Sequence, residues 1–439
     1  MKEGKKQSGQ KKKMQELMEL LERILDSRNV RRAYEQVLAN KGSGGVDGIE
    51  IEGFTSHVQA AWSSVKTAIQ EGVYQPSAVR KVEMPKPSGG TRILGIPTLQ
   101  DRLIQQAIAQ QLTIVYDGTF SQSSYGFRPG RNAHQALVQA RQYVNAGYSH
   151  VVDIDMAQFF DRVNHDYLMN LLSERVKDKR VLKLIHRYLK AGAMIDGIAT
   201  VNTEGTPQGG PLSPILSNIL LDRLDKELES RGHRFVRYAD DLCVFVKSKR
   251  SAERVLLSVS CYIEKELKLE VNRSKSVATR PWRSKLLGYS FYHKKGEKGL
   301  SIAKSSIAKY KSKVRSITSR SKPRAMYKRY EMLGKLNRGW AQYFKLNEAK
   351  SQFRNLDEWV RCRIRQCYWK QWRLPSTRVG MLVRLGTPEW LAYQWGNTRK
   401  GYWRISHSPI LQRALNSSLL KREGYLPLTE LSTLPTKLF

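Results

Sequence analysis

The sequence predicts an α+β fold, in which a sheet has helices on one face, followed by a basic, all-α region. Between residues 151 and 267, apolar segments occur in the order strand, helix, hairpin and helix, which is typical of that fold class. Residues 301–375 then contain 20 lysines and arginines against 4 acids, with aromatic residues interleaved. With 439 residues, 40% of them hydrophobic, the chain is long enough to bury a sizeable core.

The most informative segment is Tyr238-Ala239-Asp240-Asp241, which lies between two apolar runs. This pattern predicts a β-hairpin with the acid pair at or near its tip. Two carboxylates ~4 Å apart repel each other by about 4 kcal/mol at an effective dielectric of about 20, and a dication between them offsets that repulsion. The segment indicates either a metal site or an ordinary acidic turn, since aspartate is common in turns.

A further acidic strand is predicted at residues 151–156. Asp153 and Asp155 alternate onto one face of it, and an acid in a buried strand is costly unless it is paired or binds a metal. Separate strands of one sheet can bring Asp155 close to Asp240. Three carboxylates that converge on two Mg²⁺ ions form the site that polymerases use for phosphoryl transfer. Asp153 is either an auxiliary ligand or a hydrogen-bonded structural acid.

The formal charge of +37 predicts a polyanionic partner, and nucleic acid fits this charge better than an anionic membrane surface. No apolar run is long enough to span a membrane. The lysine-rich N-terminus lacks the apolar segment of a signal peptide. We therefore expect a cytoplasmic protein without a membrane partner.

The four cysteines are expected to be reduced, structural thiols. They are Cys243, Cys261, Cys362 and Cys367, and they form neither a Cys-x-x-Cys pair nor a zinc-ligand spacing. Cys243 lies in the apolar run after the acid pair, so it is predicted to be part of the core.

Basic residues also occur in two segments before the acidic strand. Two short strands are predicted between residues 79 and 97, and Lys86 and Arg92 flank the glycine-rich turn that joins them. These two side chains either clamp a triphosphate or belong to an ordinary solvated hairpin. The loop 124–131 presents aromatic residues together with arginines, a combination that suits a nucleic-acid strand.

Composition divides the chain into five regions. Residues 1–13 are predicted to be a disordered basic arm, and residues 14–78 an N-terminal extension that begins with one or two helices. Residues 79–300 contain the acid-bearing sheet. Residues 301–375 predict a helical bundle whose basic face binds RNA, or else a solvated charged bundle. Residues 376–439 are either a small nucleic-acid module or a capping extension.

The ordered motifs resemble the group II intron-encoded reverse transcriptase/maturase family over nearly the whole chain. The segments that carry the likeness are Gly45-Val46-Asp47-Gly48, Lys86-Pro87, residues 126–131, Asp155 with Phe159-Phe160, residues 206–214, Tyr238-Ala239-Asp240-Asp241 and Leu287-Gly288. Chance supplies one such segment but hardly the series. Because the C-terminal region lacks the composition of the His-Asn-His nuclease that many relatives carry, the chain is most similar to the endonuclease-less bacterial group IIC class.

The resemblance implies a right hand of fingers, palm and thumb. The palm would contain an antiparallel sheet with helices on one face. The basic region from residue 301 onward would be an all-α thumb, called domain X in this family, that holds the intron RNA.

The resemblance also implies roles for individual residues. The catalytic ligands of two Mg²⁺ ions would be Asp155, Asp240 and Asp241. The nucleotide-binding residues would be Lys86, Arg92, Phe160, Gln208 and Tyr238. Among them, Phe160 would exclude ribonucleotides with its ring, unless it is a core residue. The nucleic-acid-binding residues would be Arg128, Arg131, Arg361, Arg363 and Arg365, together with Leu287 and Gly288. The last two would form the primer grip.

The implied function is RNA-directed DNA polymerisation by an intron-encoded protein that also binds its intron RNA to assist splicing and retrohoming. Its partners would be the intron RNA, an RNA template with a DNA primer, dNTPs and a DNA target. It would act as a monomer in a bacterial, nucleoid-associated ribonucleoprotein. Two alternatives stay open: a splicing cofactor in which polymerisation is incidental, and a domesticated or defence-associated reverse transcriptase.

Overall fold

A computed structural model describes residues 19–85, 91–191, 193–195, 198–200, 205, 209–294 and 296–433. The chain divides into two compact units, Met1–Arg280 and Pro281–Phe439. The predicted α+β class is confirmed, because helices are combined with sheets that are mostly antiparallel.

The first unit consists of helices and two four-stranded sheets. Its helices are α1 Leu20–Leu25, α2 Ser27–Ala39, α3 Ile51–Gln70, α4 Leu99–Tyr116, α5 Ala133–Asn145, α6 His165–Arg175, α7 Lys179–Lys190, α8 Ser213–Ser230 and α9 Lys249–Lys265. Its strands are β1 Val79–Pro85, β2 Thr91–Ile96, β3 His150–Ile154, β4 Ala193–Ile195, β5 Ile198–Thr200, β6 Arg234–Tyr238, β7 Asp241–Val246 and β8 Val277–Thr279.

Helix α8 illustrates how the core of this unit forms. Its sequence predicts one apolar stripe at helical spacing, and every member of the stripe is buried. The stripe consists of Leu212, Ile215, Leu216, Ile219, Leu220, Leu224 and Leu228. A proline in the first turn starts the helix without loss of a backbone bond.

The second sheet has the order β6-β7-β3-β8 and is antiparallel throughout. Val152, Ile154, Leu242 and Val244 of its central strands belong to the core that the helices cover. Since side chains alternate across a strand, the residues between them lie on the opposite face. That opposite face carries Asp153.

The second unit begins with a hairpin rather than a helix. Strands β9 Tyr289–Lys294 and β10 Glu297–Ile302 pair in antiparallel fashion. This hairpin lies almost wholly before residue 301, and the region predicted to be all-α is helical from Lys304 onward. In β9 the buried residues Tyr289 and Phe291 alternate with less buried ones, which is the period of a strand, whereas residues 299–302 of β10 are all buried. The helices that follow are α10 Lys304–Ile317, α11 Met326–Tyr343, α12 Lys350–Gln371, α13 Pro375–Arg384, α14 Glu389–Gly396, α15 Tyr402–Ser406, α16 Pro409–Ala414, α17 Ser417–Arg422 and α18 Leu428–Leu431.

The segment after residue 375 packs against the preceding helices of the same unit. Asp357 of α12 is buried and accepts hydrogen bonds from the Tyr425 hydroxyl at 2.7 Å, the Leu428 amide at 2.8 Å and the Thr429 hydroxyl at 2.8 Å. This packing agrees with a capping extension. None of the helices in the described residues combines the length and apolar character needed to cross a membrane.

Cys243 is part of the core, as the sequence predicts. Cys243, Cys362 and Cys367 are buried, whereas Cys261 on α9 is exposed. All four are free thiols.

Candidate active site

The acid pair lies at the tip of a tight hairpin, as the sequence predicts. Strands β6 and β7 end in the pair Tyr238–Asp241, so Ala239 and Asp240 form a two-residue turn. Ala239 has a φ of 57°, a left-handed conformation that costs a non-glycine residue about 1–2 kcal/mol. The surrounding contacts must therefore compensate for strain at this turn.

The register of the sheet brings Asp155 next to this turn. Strand β3 pairs with β7, and the last pair is Ile154 with Leu242. One position further, Asp155 follows β3 and Asp241 begins β7, so the two acids lie at the same end of neighbouring strands. The Asp155 amide donates to Ser276 Oγ at 3.1 Å, and its carbonyl accepts from the Asn272 amide at 2.9 Å. The three predicted ligands thus converge on one end of two neighbouring strands.

Their carboxylates do not form a tight cluster. In the described part of the chain, the oxygens of Asp155, Asp240 and Asp241 do not all lie within 4.8 Å of one another. Lys275 Nζ lies 3.9 Å from an Asp155 oxygen, and the Asp155 side chain is 41% exposed. Asp240 is half-buried and Asp241 is exposed. All three carboxylates are accessible, and carboxylate oxygens are the donors that a hard cation such as Mg²⁺ prefers.

Three other acids lie close enough together to hold a metal ion, but an arginine already bridges them. Glu19, Glu22 and Asp178 have oxygens within 4.8 Å of one another. Arg180 bridges all three through its guanidinium. This group is consequently an ion-pair network among the first unit's helices.

Asp153 lies in β3, two residues before Asp155. It is opposite Cys243 and is half-buried. Burial raises the pKa of the Cys243 thiol, and the charges of Asp153 and Asp241 raise it further. The thiol is therefore neutral, and it lies on the same sheet face as the acids.

A buried ion pair beneath the turn is the feature that the sequence analysis missed. Arg237 and Asp225 are both fully buried. The guanidinium donates to both Asp225 oxygens, at 2.7 and 2.5 Å. Removing one partner of such a pair typically costs about 3–5 kcal/mol. The available signal was Asp225 itself, an acid next to the apolar stripe of α8.

Phe160 lies in a short helical turn after Asp155. In the 3₁₀ turn Phe159–Asp161, Phe159 is buried and Phe160 is half-buried, with the two rings edge to face at 5.1 Å. Gly205 packs against this turn so closely that a Cβ there would lie 2.7 Å from the Asp161 carbonyl oxygen. The Gly205 carbonyl lies 2.6 Å from His165 Nε2. Gly205 is therefore held against the backbone of Asp161, the residue that follows Phe160.

The remaining predicted nucleotide-binding residues are placed only in part. Arg92 lies in β2 opposite Met84, as the predicted hairpin requires. Lys86 and Gln208 lie outside the described residues. Tyr238 is half-buried, and its ring centroid is 6.4 Å from that of Phe127.

Arg128 has a structural role, which corrects the prediction that it binds nucleic acid. Its side chain is 4% exposed. It donates to Asp117 Oδ1 at 2.7 Å, the Asp117 carbonyl at 2.8 Å and the Ser121 carbonyl at 2.6 Å. The guanidinium nitrogens all donate inward, so this side chain fastens its own loop. Arg131 differs, because it is half-exposed and lies over the Tyr125 ring at 5.4 Å.

Leu287 and Gly288 form a second two-residue turn, which lies in the second unit. Leu286 and Tyr289 exchange backbone hydrogen bonds of 3.0 and 2.9 Å across it. Leu287 has a φ of 50° and Gly288 a φ of 80°. Positive φ at both positions is the type I′ geometry that hairpins favour. The Tyr343 hydroxyl donates to the Leu287 carbonyl at 2.9 Å.

The three arginines predicted on the second unit differ in exposure. Arg361 and Arg363 are half-exposed, but Arg365 is 5% exposed and donates to the Leu415 carbonyl at 3.0 Å. Direct contact between Arg365 and nucleic acid is therefore corrected to a structural role. Arg363 donates to the Thr318 hydroxyl at 3.0 Å.

A basic cavity of about 200 Å³ lies in the second unit. The cations among its lining residues are Arg320, Lys322, Arg324, Arg329 and Lys370. No acid is among the residues that line it. Arg320 and Lys370 also lie over the Tyr402 ring, at 4.6 and 5.6 Å. Cations beside an aromatic ring favour binding of a nucleic-acid strand.

Comparison with known proteins identifies two families. Residues 84–291 match the family model for reverse transcriptase (RNA-dependent DNA polymerase). Residues 307–386 match the model for the group II intron maturase-specific domain. The first match contains the acid hairpin and the Leu287–Gly288 turn, and the second contains the arginine-rich helix α12.

Similar sequences occur in bacteria and fungi. The chain is 30% identical to protein YkfC of Escherichia coli over 59% of its own length and 79% of that protein. It is 28% identical to the group II intron-encoded protein LtrA of Lactococcus lactis, over 58% of this chain and 54% of LtrA. It is 34% identical to the putative COX1/OXI3 intron 2 protein of Saccharomyces cerevisiae, over 48% of this chain and 25% of that protein.

Solved structures with some similarity include two kinds of assembly. A partial Cas6-RT-Cas1–Cas2 complex matches with 26% identity and a TM-score of 0.37, over 57% of this chain and 43% of that one. Telomerase from Candida albicans matches with 13% identity and a TM-score of 0.43, over 79% of this chain and 70% of that one. Because both scores are low, the assignment rests on the family models and the sequence relatives.

Proposed function

Because the chain belongs to the group II intron-encoded reverse transcriptase/maturase family and is an RNA-directed DNA polymerase, we propose how it performs this reaction. Asp155, Asp240 and Asp241 hold two Mg²⁺ ions and place them at the 3′ end of a DNA primer paired with an RNA template. The same protein binds its intron RNA to assist splicing and retrohoming. The observation that carries the proposal is the β3–β7 register, which gathers these acids at one end of two strands.

The residues around the acids supply positioning and charge. When bound, the two ions would lower the pKa of the primer hydroxyl and stabilise the leaving pyrophosphate. Lys86 and Arg92 neutralise the triphosphate of the incoming dNTP. Phe160 lies under its sugar and excludes a 2′-hydroxyl, and Gln208 contacts the base pair or sugar. The half-buried position of Phe160, five residues after Asp155, supports this role.

Charge in the second unit supports binding of the intron RNA. Four of the five cations that line the cavity would bind backbone phosphates, and each contact releases counterions from the nucleic acid. The fifth, Arg329, is buried and donates to backbone carbonyls. Arg361 and Arg363 are exposed enough to add to this surface. Trp390 and Tyr393 of α14 are 70% and 55% exposed, so the extension after residue 375 offers stacking platforms to single-stranded DNA or RNA. The protein would work as a monomer in the cytoplasmic ribonucleoprotein of a bacterium.

Primer extension on an RNA template with Mg²⁺ and dNTPs tests the proposal. Asp240→Asn should abolish extension, while filter binding of RNA stays close to the wild-type value. Asp166→Asn, which changes an exposed acid in the first turn of α6, is the matched control and should extend normally. Extension that survives Asp240→Asn would refute the metal site and favour a splicing cofactor whose acids are dispensable.

A further inference from the structure

We propose that Arg237 is a positioning residue for the metal-binding turn, and that its ion pair with Asp225 sets the position of Asp240 and Asp241. This inference rests on the function proposed above. Arg237 precedes Tyr238 in β6, and its side chain lies on the face of the sheet that packs on α8. It acts through the backbone of the turn and not on the substrate.

The guanidinium is fixed from one side and holds the turn on the other. Asp225 of α8 accepts from two of its nitrogens, at 2.7 and 2.5 Å. Arg237 Nη1 donates to the Ala239 carbonyl at 3.0 Å. Ala239 is the strained residue directly before Asp240. A movement of the guanidinium would therefore move the peptide that carries the first metal ligand.

The loop after Ser123 presses on the same turn. Its backbone pairs with that of Arg237 through two hydrogen bonds of 2.9 Å. The Arg237 amide donates to the Ser123 carbonyl, and the Tyr125 amide donates to the Arg237 carbonyl. At Gly126, an added Cβ would lie 2.2 Å from the Ala239 nitrogen. No side chain other than hydrogen fits between this loop and the turn.

Asn218 of α8 joins the two supports. Its Nδ2 donates to the Gly126 carbonyl at 2.9 Å, and its Oδ1 accepts from Arg237 Nη1 at 3.0 Å. Asn218 is fully buried. The turn is thus clamped between a buried guanidinium and a glycine, and one amide connects them.

Stability alone does not account for a buried ion pair at this place. Well-packed apolar residues of similar volume often stabilise a core as well as a buried ion pair does. A charged, bidentate pair differs in the precision with which it fixes direction. Since a misplacement of ~1 Å at a catalytic group can reduce a rate by about 10²-fold, precision at this turn has a functional consequence.

The sharpest test inserts one methyl group beside the turn. Gly126→Ala should lower kcat of primer extension at least about tenfold and raise the Mg²⁺ concentration for half-maximal rate, with the KM for dNTP little changed. Gly118→Ala is the matched control, because an added Cβ there meets nothing within 4 Å. The control should keep the wild-type kcat and Mg²⁺ requirement. Unchanged values in a folded Gly126→Ala protein would overturn the proposal.

If Gly126→Ala does not fold, two further variants test the positioning role of Arg237. Asn218→Ala removes the bridge without leaving a charge unpaired, and Arg237→Lys keeps the charge but loses the fork. Both should raise the Mg²⁺ requirement, whereas Asp101→Asn, at a buried acid bonded to Tyr74 and Thr98, should lower only the melting temperature. Asp240→Asn in the same assay separates the failures. If it is inactive while Asn218→Ala and Arg237→Lys behave as wild type, only the positioning role is wrong.

Discussion

The turn that carries Asp240 and the turn formed by Leu287 and Gly288 share a backbone feature but are held by different chemistry. Both are two-residue turns with a non-glycine residue at positive φ, 57° at Ala239 and 50° at Leu287. A buried guanidinium holds the first. Neutral hydroxyl groups hold the second, as Tyr343 donates to the Leu287 carbonyl and Ser306 to the Gly288 carbonyl at 2.8 Å.

The difference follows from the charge that each turn carries. Two adjacent carboxylates repel each other, so the first turn needs an anchor that resists displacement in every direction. A bidentate arginine pair supplies such an anchor. The second turn carries no charge, and ordinary hydrogen bonds are enough to keep its strained conformation. The expected effects of substitutions therefore differ between the two turns.

The largest effect is expected at the acids of the first turn's neighbouring strand. Asp155→Asn should reduce primer extension at least about 10³-fold, because it removes a ligand at the position where charge develops. Asp153→Asn, two residues earlier in β3, should retain most of the activity if Asp153 is structural. Single-turnover rates at saturating Mg²⁺ measure both. Equal losses would make Asp153 a ligand as well.

A smaller loss is expected at the second turn. Gly288→Val should lower primer extension about 10–100-fold without a change in the Mg²⁺ requirement, because a φ of 80° is unfavourable for a branched residue and the turn would shift the primer. Gly296→Val is the control, since Gly296 has a φ of 82° and an added Cβ there meets nothing within 4 Å. If Gly296→Val lost as much activity, strain and not primer placement would be the cause.

Phe160 should affect selectivity more than rate. Phe160→Ala is expected to raise the relative incorporation of ribonucleotides about 10–100-fold, because the space under the sugar would admit a 2′-hydroxyl. The ratio of kcat/KM for dNTP and rNTP measures it. Phe159→Leu, at the buried ring beside it, should lower stability by about 1 kcal/mol and leave the ratio unchanged. An unchanged ratio in Phe160→Ala would assign Phe160 to the core.

The smallest effect concerns the arginines of α12. Arg361→Gln should reduce the slope of log affinity for RNA against log salt by about 0.7–0.9, the contribution of one phosphate contact. Arg365→Gln should leave that slope unchanged and lower the free energy of unfolding by about 1–3 kcal/mol, because Arg365 donates to the buried Leu415 carbonyl. Salt titrations and thermal melts measure both variants. A lower slope in Arg365→Gln would contradict its structural role.

The parts of the site that local pattern determines could be predicted from the sequence. The hairpin tip at Asp240 follows from two apolar runs around an acidic turn, and the core stripe of α8 follows from its spacing. The neighbouring positions of β3 and β7 follow from the acids that both apolar strands carry, because an acid in such a strand is costly unless it is paired or binds a metal. These features depend on residues close together in the chain or on a single strong constraint.

The partners of the arginines could not be predicted in the same way. Arg128 and Arg131 occupy one short motif, yet the first is buried by Asp117 and Ser121 and the second is half-exposed. Arg365 is buried against Leu415, which follows helix α16, and donates to its carbonyl. Burial of these side chains depends on tertiary contacts that no local pattern encodes. The ion pair of Arg237 could not be predicted for the same reason, because its partner Asp225 lies in helix α8 and not in the same strand.

Iron-directed cleavage of the chain tests the central claim most directly. Fe²⁺ replaces Mg²⁺ in oxygen-ligand sites, and ascorbate with peroxide then cuts the backbone next to the bound ion. We expect cuts near residue 155 and near residues 239–241, suppressed by excess Mg²⁺ and lost in Asp240→Asn. Cuts confined to the other acidic group, at Glu19, Glu22 and Asp178, would contradict a metal site at the hairpin tip.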